Sequence, residues 1–285
     1  MKVRLLARDS KMPNIALMQL STYHKQIGDD VDWYNPLLDI QDTDCLYESQ
    51  LFDFTEPFYY YPVNAEIIKG GTGIDIKKRL PRDIEAIRYL DYTLYPDCDY
   101  SMQFYSRGCI RQCPFCVVHD KEGYIQSVEP YHLNPNGNHI EILDNNFFAN
   151  PDWREAVKDI LSTKQKVNLH GVDVRIMDEE QATALNQMKH KGQIHIAWDF
   201  PQMNLRPKLE EVTKWIKPYK LMCYVLIGYD STPEQDLYRV ETLRQLKIDP
   251  FVMPFKKTDE YQRKFARWVN MKAVFKTVAW KDYRK

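Results

Sequence analysis

Three of the chain's six cysteines, Cys109, Cys113 and Cys116, fall within eight residues of one another in the stretch FYSRGCIRQCPFCVVHD, residues 104–120. Thiols this close suggest a metal ion, a cluster or catalysis before a disulfide, and three arrangements fit the residues. Cys109, Cys113, Cys116 and His119 would supply four ligands to a tetrahedral zinc ion. With Cys98 as a fourth thiolate, the same cysteines would close an iron-sulfur cluster used for electron transfer. Three thiolates alone on a 4Fe-4S cluster leave one iron without a protein ligand, open to a substrate or cofactor that can receive an electron. Position weighs toward the third arrangement, because the loop directly follows a strand at the start of an α/β series, where sites open onto the active face.

The rest of the chain must position that loop. Its 285 residues, 44% hydrophobic and 13% aromatic, suffice for a full-sized core in one large domain or in a large and a small one. The longest apolar run, LMCYVLIG, is too short to cross a bilayer, and MKVRLLARDSK lacks the apolar core and cleavage site of a signal peptide. The expectation is a cytoplasmic protein with no membrane partner. Charge is uneven: ten acidic residues and no Lys or Arg lie between Gln26 and Ile68, whereas ten basic and three acidic residues follow from Lys256. Phe265, Trp268, Val269 and Phe275 in the basic segment favour a solvated helix with a packed face over a nucleic-acid surface.

Short apolar or β-branched segments alternate with helical patterns. YSMQFYS, HIEIL, VNLHGV, QIHIAW, LMCYVLIG and PFVMPF read as strands. Between them, Asn150 and Pro151 are expected to open the helix DWREAVKDIL, and Thr232 with Gln235 to form a capping box around Pro233 before DLYRVETLRQL. DEEQATALNQMK and RPKLEEVTKWIK supply further crossovers. Six such units predict an α/β fold of partial (β/α)6 TIM-like barrel type over residues 98–285, ending in a basic helix, with ligands at the C-terminal strand ends. Residues 1–77 read as a small α/β domain and 78–97 as a connector. Its helix is expected to have Pro13 at its start, Leu17, Leu20, His24 and Ile27 on one face, and Gly28 past its end.

RGCIRQCPFC has the form CxxxCxxC with an aromatic residue, Phe115, before the last cysteine, and it resembles the signature of the radical S-adenosylmethionine (SAM) enzymes. With PNIALMQLSTYHKQIGDD, KGGTGIDIKKRLP, LDNNFFA, GVDVRIMDEEQA, YVLIGYDSTPEQDLYRVETLR and FARWVNMKA, nearly the whole chain resembles the subgroup with a cobalamin-binding-like domain before the barrel. The resemblance implies Cys109, Cys113 and Cys116 as ligands of a 4Fe-4S cluster and the Phe115 main chain beside the adenine of SAM. It implies Asp144, Asn145 and Asn146 at the SAM amino group, in place of the family's glycine-glycine-glutamate. Asp173 and Arg175 follow the third strand, with Arg175 paired to the SAM carboxylate. Asp199 would meet the ribose, and Gly228 would allow close approach near the adenine. The implied activity is reductive cleavage of SAM to a 5′-deoxyadenosyl radical that abstracts hydrogen from a substrate, with flavodoxin or ferredoxin as electron donor. A non-catalytic iron-sulfur or zinc protein of the same fold, binding nucleic acid, is the alternative. His24 stands where cobalamin binders have their ligand, but Thr22 replaces the motif's aspartate and Gly28 lies one residue too far, so cobalamin is not expected. Methylthiotransferases share the layout but hold a second cluster on three N-terminal cysteines, where this chain has Cys45 and Cys98.

Overall fold

Short segments rich in Val, Ile and Leu, bounded by turn residues, pair in parallel along much of the chain. The computed structural model describes residues 1–283 and is mixed α/β. Arg284 and Lys285, counted in the basic segment above, lie outside the described residues. Two compact units are present. One comprises Met1–Met102, Val117–Gly123 and Glu129–Asn138, and the other Gln103–Cys116, Tyr124–Val128 and the chain from His139 onward.

The first unit is built on β1 (Lys2–Ala7), α1 (Ile15–Gln26), β2 (Asp30–Trp33), α2 (Pro36–Asp39), β3 (Cys45–Ser49) and β4 (Glu66–Gly70), with the short helices α3 (Arg82–Glu85) and α4 (Val118–Glu122). Its sheet has the order β2-β1-β3-β4, every pair parallel. Val3, Leu5 and Leu46 are fully buried in the sheet, and Leu17 and Leu20 on α1 are buried as expected. Two helix-end expectations need correction. Asn14 caps α1 by accepting from Leu17 N at 3.2 Å, so Pro13 precedes the cap. Ile27 is the C-terminal cap and 59% exposed, because the chain turns away at Gly28 with a left-handed φ of +88°.

Strand β5 (Ser101–Gln103) leads to β6 (Ser106–Arg107) and β7 (Gln126–Ser127), an antiparallel pair. There follow β8 (His139–Ile142), α5 (Trp153–Thr163), β9 (Lys166–Leu169), α6 (Glu179–Gln187), β10 (Lys189–His190), β11 (Ile194–Ala197), α7 (Arg206–Trp215), β12 (Leu221–Ile227), α8 (Pro233–Gln245), β13 (Asp249–Pro254), α9 (Glu260–Asn270) and α10 (Lys272–Thr277). The larger strands form two sheets, of orders β10-β9-β8-β5 and β11-β12-β13, and neither is closed. A single parallel bridge joins Val172, just past β9, to Ile196 on β11. Thr232 and Gln235 form the expected capping box on α8, and Asp178 with Gln181 forms another on α6. Helix α5 starts at Trp153 with Asp152 at its cap position, later than expected, but Asn150 Oδ1 does accept from Asp152 N at 3.0 Å. The same buried side chain also accepts from Ser127 Oγ at 2.7 Å and donates to Tyr105 O at 3.0 Å. Phe265, Trp268, Val269 and Phe275 are buried, so the basic segment does pack through one face.

Arg239 on α8 is fully buried. Its guanidinium donates to Trp198 O at 2.8 Å, to Asp199 O at 3.2 Å and to the Asp236 carboxylate at 2.6 Å. Tyr261 donates to the other Asp236 oxygen at 3.1 Å. Removing one member of a buried pair strands the other, so Arg239→Met is expected to cost about 3–5 kcal/mol in urea unfolding, and the double variant Asp236→Leu/Arg239→Met to recover part of it.

Candidate functional site

The cysteine loop leaves β6 through Gly108, whose φ of +84° suits a residue without Cβ. Within the loop, Arg111 N donates to Cys109 Sγ at 3.4 Å and Cys116 N to Cys113 O at 2.9 Å. Cys109 and Cys113 are half-buried and Cys116 is exposed, whereas Cys45, Cys98 and Cys223 are buried. Burial pushes the Cys113 thiol up, Arg175 draws it down, and the other two loop thiols push it up again. Among the described residues no three His, Cys, Asp or Glu side chains converge closely enough to hold a metal ion as they stand. The loop thus presents three neighbouring, reachable thiols in an open arrangement.

The residues after the strands surround it unequally. Asp144, past β8, is 2% exposed and accepts from Tyr105 N at 2.9 Å and from Ser106 Oγ. Burial pushes its carboxyl up to about 6, although the bonds from Ser106 and Tyr105 oppose the rise. Both oxygens therefore serve the chain just before the cysteines. Asn145 Nδ2 lies 3.5 Å from Gly108 O. Asn146 is buried, with Nδ2 at 3.4 Å from Asp173 Oδ2, and among the described residues its Oδ1 has no hydrogen-bond partner. An orphaned buried acceptor costs stability unless something donates to it.

Asp173 accepts from Arg175 Nε at 2.6 Å and Nη2 at 2.9 Å, and from Arg111 Nε at 3.1 Å. Burial would raise this carboxyl, but Arg175 foremost, with Arg111, holds it below the ordinary range. These three groups together carry a net positive charge, and among the described residues Arg175 Nη1 makes no hydrogen bond. Arg175 also lines a pocket with Ala197, Asp199, Phe200 and Met203. Asp199 accepts from Leu226 N at 3.3 Å, and burial pushes its carboxyl up. The Phe115 ring stands 5.4 Å from that of Phe200 and 5.2 Å from that of Tyr229.

The structure thus places Arg175 and Asp199 on the pocket lining, ties Asp173 and Cys113 to Arg175 and Asn146 to Asp173, sets the Phe115 ring against Phe200 of the lining, and turns Asp144 away into the protein. Gly228 has a φ of +75°, and a Cβ there would meet the Gln262 amide at 2.1 Å. What approaches Gly228 closely is therefore this buried side chain. Gln262, Arg111 and Arg239 were not singled out by sequence reasoning. Arg111 carried the only available signal, its place between two cysteines. Cys98 Sγ rests 3.4 Å from Tyr100 O, and His119 lies on α4. His24 is buried with Nδ1 at 2.7 Å from Asp29 and Nε2 at 3.0 Å from Tyr47 Oη, so both ring nitrogens are engaged. No protein-family model matches the chain, and no curated protein sequence matches it.

Asp144 gives a pH signature. Its folded value of about 6 lies above the ordinary 3.8, so between these values the folded state binds the proton more tightly. Its contribution to stability is complete below about pH 4, is lost as pH rises toward 6, and is constant above. Against Asp144→Asn, which cannot ionise, the wild-type chain is expected to lose about 3 kcal/mol over that window in urea unfolding.

Proposed function

We propose that the chain is a radical SAM enzyme whose second unit is a partial (β/α)6 barrel, with Cys109, Cys113 and Cys116 as the ligands of a 4Fe-4S cluster and SAM held at the pocket beside them. The observation that carries this reading is the pairing of three reachable thiols with a net-positive Asp173–Arg175–Arg111 group and the orphaned Asn146 Oδ1. That donor set suits the two groups. Thiolates are the ligands of such clusters, and an acceptor beside an unfilled guanidinium edge complements an amino acid's ammonium and carboxylate. The Val172–Ile196 bridge supports the barrel reading, since it makes the two open sheets neighbours in the order β5-β8-β9-β11-β12-β13.

When bound, the cluster and SAM together supply one-electron cleavage of the sulfonium to a 5′-deoxyadenosyl radical, which abstracts hydrogen from a substrate. The chain's own residues bind and orient. Arg175 Nη1 pairs with the SAM carboxylate, Asn146 Oδ1 accepts from its ammonium, and Asp199 accepts from a ribose hydroxyl. Asn145 borders the same amino-group position, while Asp144 secures the strand that presents the loop. The Phe115 main chain lies at the adenine, its ring fixed by Phe200 and Tyr229. Gly228 gives the fifth-strand loop its turn. The electron comes from a flavodoxin or ferredoxin.

Anaerobically purified protein is expected to be brown and to hold one 4Fe-4S cluster per chain, counted as iron and sulfide. Replacing Cys109, Cys113 and Cys116 together with Ala should abolish both, and Cys98→Ala should not. Zinc without iron would point to the non-catalytic alternative.

Reduction of the loaded protein with dithionite should release 5′-deoxyadenosine and methionine from SAM. Arg175→Ala should weaken SAM binding by about 1.5–3 kcal/mol while leaving the cluster absorbance intact. Formation of S-adenosylhomocysteine in place of deoxyadenosine would replace hydrogen abstraction with methyl transfer.

A further inference from the structure

One face of the second unit's parallel strands is aliphatic and buried, through Ile140, Ile142, Val167, Leu169, Ile194 and Ile196. On the other face the alternate positions are polar: Glu141 on β8, Asn168 on β9 with His170 just beyond, His195 on β11 and Tyr224 on β12. Parallel sheets ordinarily bury both faces in apolar surroundings. Here the second face is only partly covered, and its polar side chains are joined in a chain of contacts.

Glu141 Oε2 lies 2.8 Å from His170 Nε2 and 3.0 Å from Asn168 Nδ2. His170 Nδ1 in turn lies 3.2 Å from His195 Nδ1. The other Glu141 oxygen is 3.0 Å from His139 Nε2, which is 2.7 Å from Lys191 Nζ. Burial would raise the Glu141 carboxyl, but His170, Asn168 and His139 outweigh it and hold it below its ordinary range. Glu141 is therefore an anion that can only accept, and His170 must donate to it from Nε2. With His170 uncharged, its Nδ1 is an acceptor. The hydrogen between the two Nδ1 atoms then belongs to His195, and His195 Nε2 carries a lone pair. Burial foremost, then His170, presses His195 down to about 4, so the ring is neutral. Its Nε2 makes no hydrogen bond among the described residues. The rings continue outward, with His195 to Tyr224 at 5.3 Å and Tyr224 to Phe251 at 5.7 Å, and Phe251 is 41% exposed.

We propose that His195 Nε2 accepts a proton from an O–H or N–H group of a bound molecule, with His170 and Glu141 as the relay behind it and Tyr224 and Phe251 as the surface for that molecule's apolar part. The donor's X–H bond breaks as Nε2–H forms. The Nδ1 proton of His195 passes to His170 Nδ1, and the positive charge comes to rest on His170 against the Glu141 carboxylate. No electron changes hands. His195, whose burial disfavours the charged ring, remains neutral at the end of the transfer. Lys191 and His139 lie on the far side of Glu141, and Tyr224 is the titratable group that faces His195. This site is independent of the cysteine loop, so failure of either assignment leaves the other standing.

The test is long-range proton–nitrogen NMR on the full chain labelled with 15N-histidine, its seven histidines assigned through His170→Gln and His195→Gln. At about pH 8, well above the ordinary histidine range, His195 is expected as the Nδ1–H tautomer and His170 as the Nε2–H tautomer. Glu141→Gln should turn both into tautomer mixtures, because the amide donates as well as accepts. Phenol as a probe should shift the His195 Nε2 resonance saturably, and anisole, which lacks the hydroxyl, should not. Tyr224→Ala should abolish the phenol effect and leave the tautomers unchanged. His195 found as Nε2–H would overturn the proposal, as would tautomers indifferent to Glu141→Gln, or equal or absent shifts with the two probes. The wild-type spectrum decides the tautomer even if a variant does not fold.

Discussion

Asp173 stands between Arg175, two residues along the chain, and Arg111, which sits between the first and second cysteines of the loop. That shared carboxylate is the electrostatic tie between the cysteine loop and the end of β9. Within the loop, Arg111 N also donates to Cys109 Sγ. On an exposed surface such an ion pair would contribute little. Asp173 is 7% exposed at its side chain and receives Arg175 through two nitrogens, a geometry in which charge-assisted bonds are shorter and stronger. The same arrangement sets the local field. Through Arg175 the tie also reaches the cysteine loop and the pocket: the guanidinium opposes the rise that burial imposes on the Cys113 thiol, and Asp199 lies beside it on the pocket lining.

Three carboxylates follow β8, β9 and β11, and their surroundings separate them. For Asp144, burial outweighs the bonds from Ser106 and Tyr105 and the pull of Arg107, and its proton is held to about pH 6. Asp173 meets two guanidiniums and is held ionised. Asp199 feels Arg239 and Arg175 without a direct bond from either, and burial still raises it. One residue type at equivalent places thus yields a structural anchor, a counter-ion and a partly buried acceptor. Arg239 contributes to the last case through the main chain. By donating to the carbonyls of Trp198 and Asp199, it fixes the backbone that leads out of β11.

How much of this was legible depended on how local the cause was. Thr232, Pro233 and Gln235 form their box within four residues, and the cysteine spacing is likewise a local fact; both could be read directly. The six strand segments could be read because β-branched alternation is local too. β1 could not, since Lys2 and Arg4 interrupt its apolar pattern. Arg4 is tolerated in the sheet only because Asp39, at 3.0 Å, and Asp30, at 3.1 Å, come from later in the chain to neutralise it. Asn150 does accept from Asp152 N, a local bond, but its further bonds to Ser127 and Tyr105 come from elsewhere in the chain and could not be read. Gly228 was recognised as a place of close approach, yet only tertiary structure could say that Gln262 does the approaching. Alternation in HIEIL and QIHIAW marks Glu141 and His195 as sharing a face with their neighbours, but the contact between His170 and His195 depends on how β9 and β11 meet.

That meeting gives the open face two layers. The thiols, Asn146, Arg175 and Asp199 occupy the strand-end layer, and Glu141, His170 and His195 lie further back along the strands. Ala197, which lines the pocket, is two residues from His195 on the same face of β11, about 7 Å along the strand. The separation matters electrostatically: an arginine as close to His195 as Arg175 is to Asp173 would oppose uptake of a proton by the relay. Loss of a hydrogen atom from carbon makes a neighbouring O–H or N–H much more acidic. If the strand ends remove hydrogen as proposed, the site would gain from a neutral acceptor one layer back, provided that the acceptor delivers its charge to Glu141 and not to the pocket.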